Sequence, residues 1–412
     1  MKKNFISHIK SRGYFNQCTN EIGLTNLLSK NLVAYTGFDC TADSLHIGSL
    51  VQIMMLRTFQ NFGFKPIVLL GGGTTLIGDP SGKDKTRAIL SREKIEYNKK
   101  KISQIFKKFL RFDKSTTSAT ILDNYSWLSK LNFVDFVRTI GSNFSVNRML
   151  SFESIKQRLE REQNLSFLEF NYVILQSYDF LKLYNNYNCN LQFGGSDQWG
   201  NIVSGIDLIK KFNSKEVFGL TSPLITTSSG EKMGKTAKGA IWLSKEKLSP
   251  YEYWQFWRNT SDKDVVKFIK LFTEITSEKI EEIKLLEGNT INNAKILLAN
   301  KATEMCHGEK EAKKAEMNSL KIFTSNNLNL DLPEKHKLKL KISQSFKLRD
   351  LLIKISLCNS TSESKKMILS GAVKINGNKI EDKNFELTGK SFKDKIIKIS
   401  VGKKKHGIIT FL

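Results

Sequence analysis

Cysteine and proline are both scarce, with five of each in 412 residues. Cys18, Cys40, Cys189, Cys306 and Cys358 are scattered, odd in number and never spaced C-x-x-C. That argues against a disulfide framework or a zinc site and for reduced thiols. So few prolines exclude a proline-rich linker protein. No apolar run approaches the roughly 18 residues of a membrane-spanning helix. The basic start, MKKNFISHIK, lacks the apolar stretch of a secretory signal. Acidic side chains are also short: 40 Asp and Glu face 65 Lys and Arg, a formal net charge of +25.

A hydrophobic share of 40% is enough to build cores and excludes wholesale disorder. At roughly 100–200 residues per domain, the length predicts two or three domains. The charge has two readings, a polyanionic partner or a lysine- and asparagine-rich composition, visible in NYNCN, SNNLNLDL and KINGNK. Location separates them. The tail from Asp331 to Leu412 holds nineteen Lys and Arg against eight Asp and Glu. That concentration, which composition alone does not predict, fits a phosphate-contacting module whose binding weakens with salt.

Residues 32–38, LVAYTGF, read as a buried strand, followed by the turn-rich DCTADSLHIG. The next stretch is apolar at helical spacing (Leu50, Ile53, Met54, Phe59) and ends at Gly63. PIVLL (66–70) reads as a second strand, and GGGTTLIGDPSGK follows it. Strand, helix and strand in this span make a βαβ unit of a parallel sheet, whose ligands sit at the carboxyl ends of the strands. Residues 91–186 read as mainly helical. A strand at 189–193 leads into QFGGSDQWGN, and TTSSGEKMGKTAKGA (226–240) reads as a loop. Helical patterning resumes from 249 to about 320. TSNNLNLDLPEKHK then reads as a linker, and the tail has short apolar runs and an Asn376-Gly377 turn signal.

Four patterns carry chemistry. In DSLHIGS (43–49), a His and a Gly at a helix start offer backbone N–H groups and an imidazole to a phosphate; a helix turn with a surface His is the plain alternative. The loop 71–83 fails as a P-loop, since Ile77 stands at the first Gly position and Asp84 follows Lys83. It also fails as a dinucleotide fingerprint, since Leu76 stands where the third Gly belongs. Tyr172, Gln176 and Asp179 lie at i, i+4 and i+7 on one face of a largely apolar helix. Their polar groups need partners, which either an internal network or a small polar ligand such as an amino acid would supply. Lys232-Met233-Gly234-Lys235-Thr236 puts two lysines and a hydroxyl on a glycine loop, suited to charge that appears in a transition state or simply a solvated basic loop.

Taken in order, these motifs resemble the class I aminoacyl-tRNA synthetases, most closely the bacterial tyrosyl-tRNA synthetases. The resemblance rests on YTGFDCTADSLHIG (35–48), LIGDPSGK (76–83), Y-x-x-x-Q-x-x-D (172–179), GGSDQWGN (194–201), KMGKT (232–236), SPYEYWQFW (249–257) and a C-terminal S4-like segment. It implies an α/β fold: a Rossmann-like parallel-sheet catalytic domain with a helical insertion, an α-helical domain, and a small α+β S4-type RNA-binding domain. The implied boundaries are 1–225 with a dimerisation insert at about 125–165, a KMGKT linker at 226–247, a helical anticodon-side domain at 248–325, a linker at 326–345, and 346–412. The match begins near residue 8, so no cleavable transit peptide is expected.

The resemblance implies a cytoplasmic homodimer that joins L-tyrosine to tRNA(Tyr), using ATP with Mg²⁺ and no metal held by the protein. It implies that Tyr35 and Asp179 bind the substrate phenol, and that Tyr172, Gln176 and Asp79 hold its ammonium. Gln198, with Asp39 nearby, would orient the carboxylate end. Gly37, His46, Gly48, Ser49, Gly195, Asp197 and Lys235 would contact ATP, with Gly195 and Asp197 on the ribose. Thr41, His46, Lys83, Arg87, Lys232, Lys235 and Thr236 would stabilise the phosphates. Lys365, Lys366 and Lys374 are the expected RNA contacts. Trp127, Phe133 and Phe136 of the insert could face a second subunit or the core. Two positions depart from the family: Ser49 replaces the second His of H-I-G-H, predicting weaker ATP contacts or a compensating hydroxyl, and Cys40 replaces a Pro, predicting a looser loop. A weakened RNA-binding paralogue and a tryptophan enzyme are the competing readings.

Overall fold

Six strands order the first part of the chain: β1 (Gln17–Cys18), β2 (Val33–Asp39), β3 (Lys65–Gly71), β4 (Thr120–Asp123), β5 (Leu191–Gly195) and β6 (Phe218–Ser222). Their spatial order is β1-β6-β5-β2-β3-β4, parallel throughout except for β1 on β6. The computed structural model describes residues 4–79, 90–162, 164–228, 230, 233, 235–236, 239–324, 336–342, 344–389, 396–402 and 405–412. The chain divides into two compact units, 1–248 with 256–307, and 249–255 with 308–412.

The central strands are buried on both faces, as parallel strands covered by helices must be. Helix Ile47–Asn61 crosses from β2 to β3 and buries Leu50, Ile53, Met54 and Phe59, the face its spacing predicts. It stops where Gly63 takes a φ of 87°, a left-handed conformation that suits glycine. Chain order reverses between β2 and β5, and the open crevice of such a sheet lies at that switch point. Helix Phe167–Tyr187 packs beside it, started by a capping box between Ser166 and Glu169. Glu169 also receives buried Arg158 at 2.9 Å, tying the end of the insert to the start of this helix.

Three expectations change. The mainly helical stretch 91–186 contains β4, an edge strand whose residues are only half-buried and so lack a strong apolar signal. The loop read over 226–240 contains a two-stranded hairpin, β7 (Lys235–Thr236) with β8 (Gly239–Ala240). The polar stretch read as a linker over 326–345 contains β9 (Lys337–Leu340), which pairs in parallel with the last strand.

Among the described residues the second unit holds two sheets. β10 (Ser345–Lys347) pairs with β13 (Glu386–Thr388). A five-stranded sheet has the order β12 (Asn378–Ile380), β11 (Val373–Ile375), β14 (Ile396–Val401), β15 (Lys405–Phe411), β9. The β11–β12 hairpin turns at Asn376 and Gly377, with φ of 47° and 90°, as the Asn-Gly signal predicts. Helices Leu348–Lys354 and Thr361–Leu369 cover an apolar core of Leu351, Leu352, Ile368, Val373 and Ile399. All five cysteines carry free thiols. No helix among the described residues is long and apolar enough to cross a membrane.

Candidate active site

A cavity of about 360 Å³ opens at the carboxyl ends of β2, β3 and β5. Its walls bring together Tyr35, Gly37, Asp39, Thr41, His46, Gly48 and Ser49 from residues 35–49, Asp79 from LIGDPSGK, and Gly195, Asp197 and Gln198 from GGSDQWGN. Tyr172, Gln176 and Asp179 line it from one helix face, as their i, i+4, i+7 spacing predicts. Lys83, Arg87 and Lys232 lie outside the described residues, and of Lys235 and Thr236 only the backbone is described.

At the deep end, Asp179 is 2% exposed. Burial pushes its carboxyl up to about 7 and wins over the hydrogen bonds from Asn124 and Trp127 that favour the charged form; Asp39 and Asp123 push it further up. Asn124 Nδ2 donates to Oδ2 at 2.8 Å and Trp127 Nε1 to Oδ1 at 2.7 Å. The Tyr35 hydroxyl is buried with no hydrogen-bond partner. Burial, then the charge of Asp179, pushes its phenol well above the ordinary range. A carboxylate acceptor and an orphan hydroxyl donor at one end of a cavity form an unfinished site, because an unpaired buried polar group costs stability until something pairs with it. Thr36 Oγ1, Gln52 Oε1 and Gln192 Oε1 are further buried atoms without a partner, and all three residues line the same cavity.

Two further networks fix the other polar side chains. Thr74 Oγ1 donates to Asp39 at 2.9 Å, and the Tyr172 hydroxyl lies 3.3 Å from both Asp39 carboxylate oxygens. Gln198 Nε2 donates to Asp79 at 3.0 Å, while Asn201 Nδ2 donates to Gln176 at 3.0 Å and Gln198 at 3.1 Å. The 172–179 stripe is thus internally bonded, and it also lines the cavity.

His46 caps the helix Ile47–Asn61. Its Nδ1 accepts the Gly48 N–H at 3.0 Å, which leaves the ring proton on Nε2 as a donor. Strand-like bonds pair this segment with 241–243: Ile47 N donates to Ile241 O and Leu243 N to Leu45 O, both at 2.9 Å. Gly48 is small for a reason. A β-carbon there would sit 2.7 Å from the His46 ring and 3.2 Å from the Met233 carbonyl. Gly37 is different: a β-carbon would meet no atom within 4 Å and would project into the cavity.

Cys40 is pinned despite lacking the proline ring. Its N–H, which proline would not have, donates to Thr75 Oγ1 at 2.7 Å, and its carbonyl accepts from Asn98 at 2.8 Å.

Sequence reasoning missed Thr74, Asn124, Gln192 and Asn201, and it placed Trp127 with the insert. Asn201 lies within GGSDQWGN and was within reach; the others carry no local signal. Of the insert aromatics, Trp127 serves Asp179, Phe136 packs edge-on against Tyr178 with ring centroids 5.4 Å apart, and Phe133 is 70% exposed. No group of three or more His, Cys, Asp or Glu placed to hold a metal occurs among the described residues.

Residues 28–324 match the family described as tRNA synthetases class I (W and Y), and residues 332–409 match a tyrosine–tRNA ligase SYY-like C-terminal domain. The chain is 53% identical over 403 residues to a tyrosine–tRNA ligase of Pelagibacter ubique, covering 98% of each chain. It is 50% identical over 408 residues to one from Wolbachia sp. subsp. Brugia malayi, again covering 98% of each. Among solved structures, a C-terminally truncated mitochondrial tyrosyl-tRNA synthetase of Aspergillus nidulans superposes with a TM-score of 0.69 at 29% identity, covering 77% of this chain and 94% of that one.

Proposed function

The chain belongs to the class I tRNA synthetases of the tryptophan and tyrosine group, and we propose that within it the substrate is tyrosine. The enzyme is a tyrosine–tRNA ligase. The observation that carries this reading is the pair of Asp179 and Tyr35, both lining the cavity and only 2% and 1% exposed, with the Tyr35 hydroxyl unpartnered. A phenol satisfies both, donating to the carboxylate and accepting from the hydroxyl. An indole N–H could serve only Asp179, and a phenyl ring neither. Full-length identity of about half to tyrosine–tRNA ligases agrees.

Tyr172, Gln176 and Asp79 hold the substrate ammonium, with Asp39 and Thr74 orienting the Tyr172 hydroxyl. Gln198, fixed by Asp79 and Asn201, steers the carboxylate. That carboxylate attacks the α-phosphorus of ATP, the bond to the bridging oxygen breaks, and pyrophosphate leaves. No enzyme nucleophile is needed, so catalysis is positioning plus electrostatics. The N-terminal amides of helix Ile47–Asn61, His46 and Thr41 face the phosphates, with Lys83, Arg87, Lys232, Lys235 and Thr236 assigned there by motif. Gly195 and Asp197 take the ribose, beside Gly37 and Ser49. Mg²⁺ arrives with ATP, whose phosphates it counters. A terminal tRNA ribose hydroxyl then attacks the aminoacyl carbonyl and AMP departs.

The nucleotide side makes a sharp prediction. Gly37→Val adds atoms only to empty cavity, so the variant should fold with an unchanged Tm and keep its tyrosine affinity. Its KM for ATP should rise at least about tenfold, because the space for the nucleotide is filled. Unchanged ATP dependence in steady-state kinetics would contradict this placement.

The domain boundaries implied by the family are part of the proposal, except that β9, which pairs with β15, joins 346–412 in the S4-type RNA-binding module. Lys365, Lys366 and Lys374 are exposed on helix Thr361–Leu369 and β11. A homodimer is supported by the helix Phe133–Thr139, which gathers three exposed apolar side chains on one short element: Phe133 is 70%, Val134 69% and Val137 48% exposed. Phe133→Asp with Val134→Asp should halve the mass found by light scattering; an unchanged mass would place the interface elsewhere. Work in translation puts the enzyme in the cytoplasm.

The direct test is tyrosine-dependent ATP–pyrophosphate exchange, with phenylalanine and tryptophan as controls. Exchange with tyrosine only is the expected result. No exchange with any amino acid, from folded protein that still binds tRNA, would leave the RNA-binding paralogue.

A further inference from the structure

Helix Asp262–Phe272 is tied down at both ends, to different parts of the first unit. At its C-terminal end, the N-terminal segment of the chain takes the emerging carbonyls. Arg12 Nη1 donates to Ile275 O at 2.7 Å, Arg12 Nη2 donates to Thr273 O, and the Tyr14 hydroxyl donates to Leu271 O at 2.5 Å. Just beyond, Glu274 accepts two bonds from Arg57, at 2.7 and 2.8 Å, and one from Asn61 at 2.8 Å. Arg57 and Asn61 lie on Ile47–Asn61, the helix that begins at His46 and Gly48.

At its N-terminal end the helix reaches the chain that enters the KMGKT segment. Asp264 is 5% exposed and its Oδ2 accepts the Ser228 N–H at 2.9 Å. Lys267 Nζ donates to Thr226 O at 2.8 Å. The pattern Ser261-x-x-Asp264 is that of a capping box, yet the Ser261 side chain makes no cap bond. The buried carboxylate is used on a loop amide instead, a charge-assisted bond.

These contacts close a circuit. From Gly48 the helix runs to Arg57 and Asn61, through Glu274 into helix Asp262–Phe272, and out through Asp264 and Lys267 to Thr226 and Ser228. Next to that stem, Met233 N donates to Ile225 O at 2.8 Å, and Ile225 lines the cavity. The far side of the segment returns at 241–243, bonded to Leu45 and Ile47. There Cys306 Sγ and Lys108 Nζ also converge on the Leu243 carbonyl, at 3.3 and 3.4 Å.

We propose that Asp264 and Lys267 are positioning residues for tyrosyl-adenylate formation, holding the stem of the KMGKT segment in register with His46 and Gly48. The proposal rests on the ligase reading above. Neither residue lines the cavity. Their effect would come through placement: donors aimed at developing phosphate charge work only when already in position, and a misplacement of about 1 Å costs on the order of a hundredfold in rate.

The experiment compares Asp264→Ala, Asp264→Asn and Lys267→Met with wild type. It reads the amplitude and rate of tyrosyl-adenylate formation in a single turnover, tyrosine affinity by equilibrium dialysis, and Tm. Asp264→Ala should slow the burst about ten- to a hundredfold, with amplitude and tyrosine affinity unchanged. Asp264→Asn keeps an oxygen for the Ser228 N–H and should recover most of that rate. Lys267→Met, at an exposed site that tolerates substitution, should slow the burst several-fold and keeps the test open if the alanine variant fails to fold. A wild-type rate in Asp264→Ala and Lys267→Met overturns the proposal. So does an Asn variant as slow as Ala, or a loss that follows amplitude or tyrosine affinity. If wild-type protein itself forms no adenylate, the ligase reading falls, and this proposal with it; that result is distinguishable because it appears before any substitution.

Discussion

Asp179→Asn should lower kcat/KM for tyrosine about a hundredfold, and Asp179→Ala should lower it further. A hydrogen bond to a charged group contributes roughly 1.5–3 kcal/mol, or about 10- to 150-fold. The amide keeps the shape and one acceptor but loses the charge, and it turns a donor toward Asn124 or Trp127, which now donate to the carboxylate. Alanine leaves both of those donors unpaired as well. The loss should fall on tyrosine and spare ATP, since the residue lines the cavity as a deeply buried group away from the glycine signatures. Pyrophosphate exchange at varied tyrosine decides it, and an unchanged KM would remove Asp179 from the phenol site.

The same carboxyl sets a pH dependence. Its folded-state value is raised from 3.8 to about 7 by burial. The ionised form is the acceptor for the phenol, so kcat/KM for tyrosine should fall as pH drops through 7, and Asp179→Asn should show no such limb. Stability runs the other way. A carboxyl whose folded value is raised contributes stability that is present in full below the unfolded value. That contribution is lost as pH rises through about 7. The Tm difference between Asp179→Asn and wild type should therefore shift in favour of the variant from pH 4 to pH 8. A difference independent of pH would contradict the placement of this carboxyl in a dry pocket.

His46→Ala should slow tyrosyl-adenylate formation by about 10²–10³ while leaving tyrosine affinity intact, the loss expected when one preorganised donor to developing charge is removed. The structure separates two roles for the ring: Nδ1 caps Gly48, and Nε2 carries the proton. Asparagine can reproduce the cap but not the donor, whereas glutamine can reach the Nε2 position. If phosphate stabilisation is the role, His46→Gln should be faster than His46→Asn in single-turnover measurements. The reverse order would make His46 a helix cap only.

The two departures from the family differ in consequence. At Cys40, the amide absent from proline is used by Thr75, so rigidity lost with the ring is replaced by a hydrogen bond. Ser49 lines the cavity together with Gln52, whose Oε1 is buried without a partner.

The sequence alone determined the βαβ core, the helix start at His46 and the Tyr172–Gln176–Asp179 stripe. Each is a local property, because helical spacing places i, i+4 and i+7 on one face whatever surrounds the helix. Its glycine motifs, read in order, were enough to identify the family. Only the tertiary structure decided what completes Asp179: Asn124 and Trp127 are 55 and 52 residues away, delivered by the edge strand β4 and the turn after it. Periodicity had no way to separate Trp127, which serves the site, from Phe133, which faces solvent, since each sits on its own short helix, Tyr125–Leu128 and Phe133–Thr139, too short to show which face is buried. The link from Asp264 to Ser228 also spans elements that no local pattern joins. A periodic pattern reports which face of an element is buried, but not what it is buried against. That partner is chosen by the order of strands in the sheet and by the docking of helices onto it.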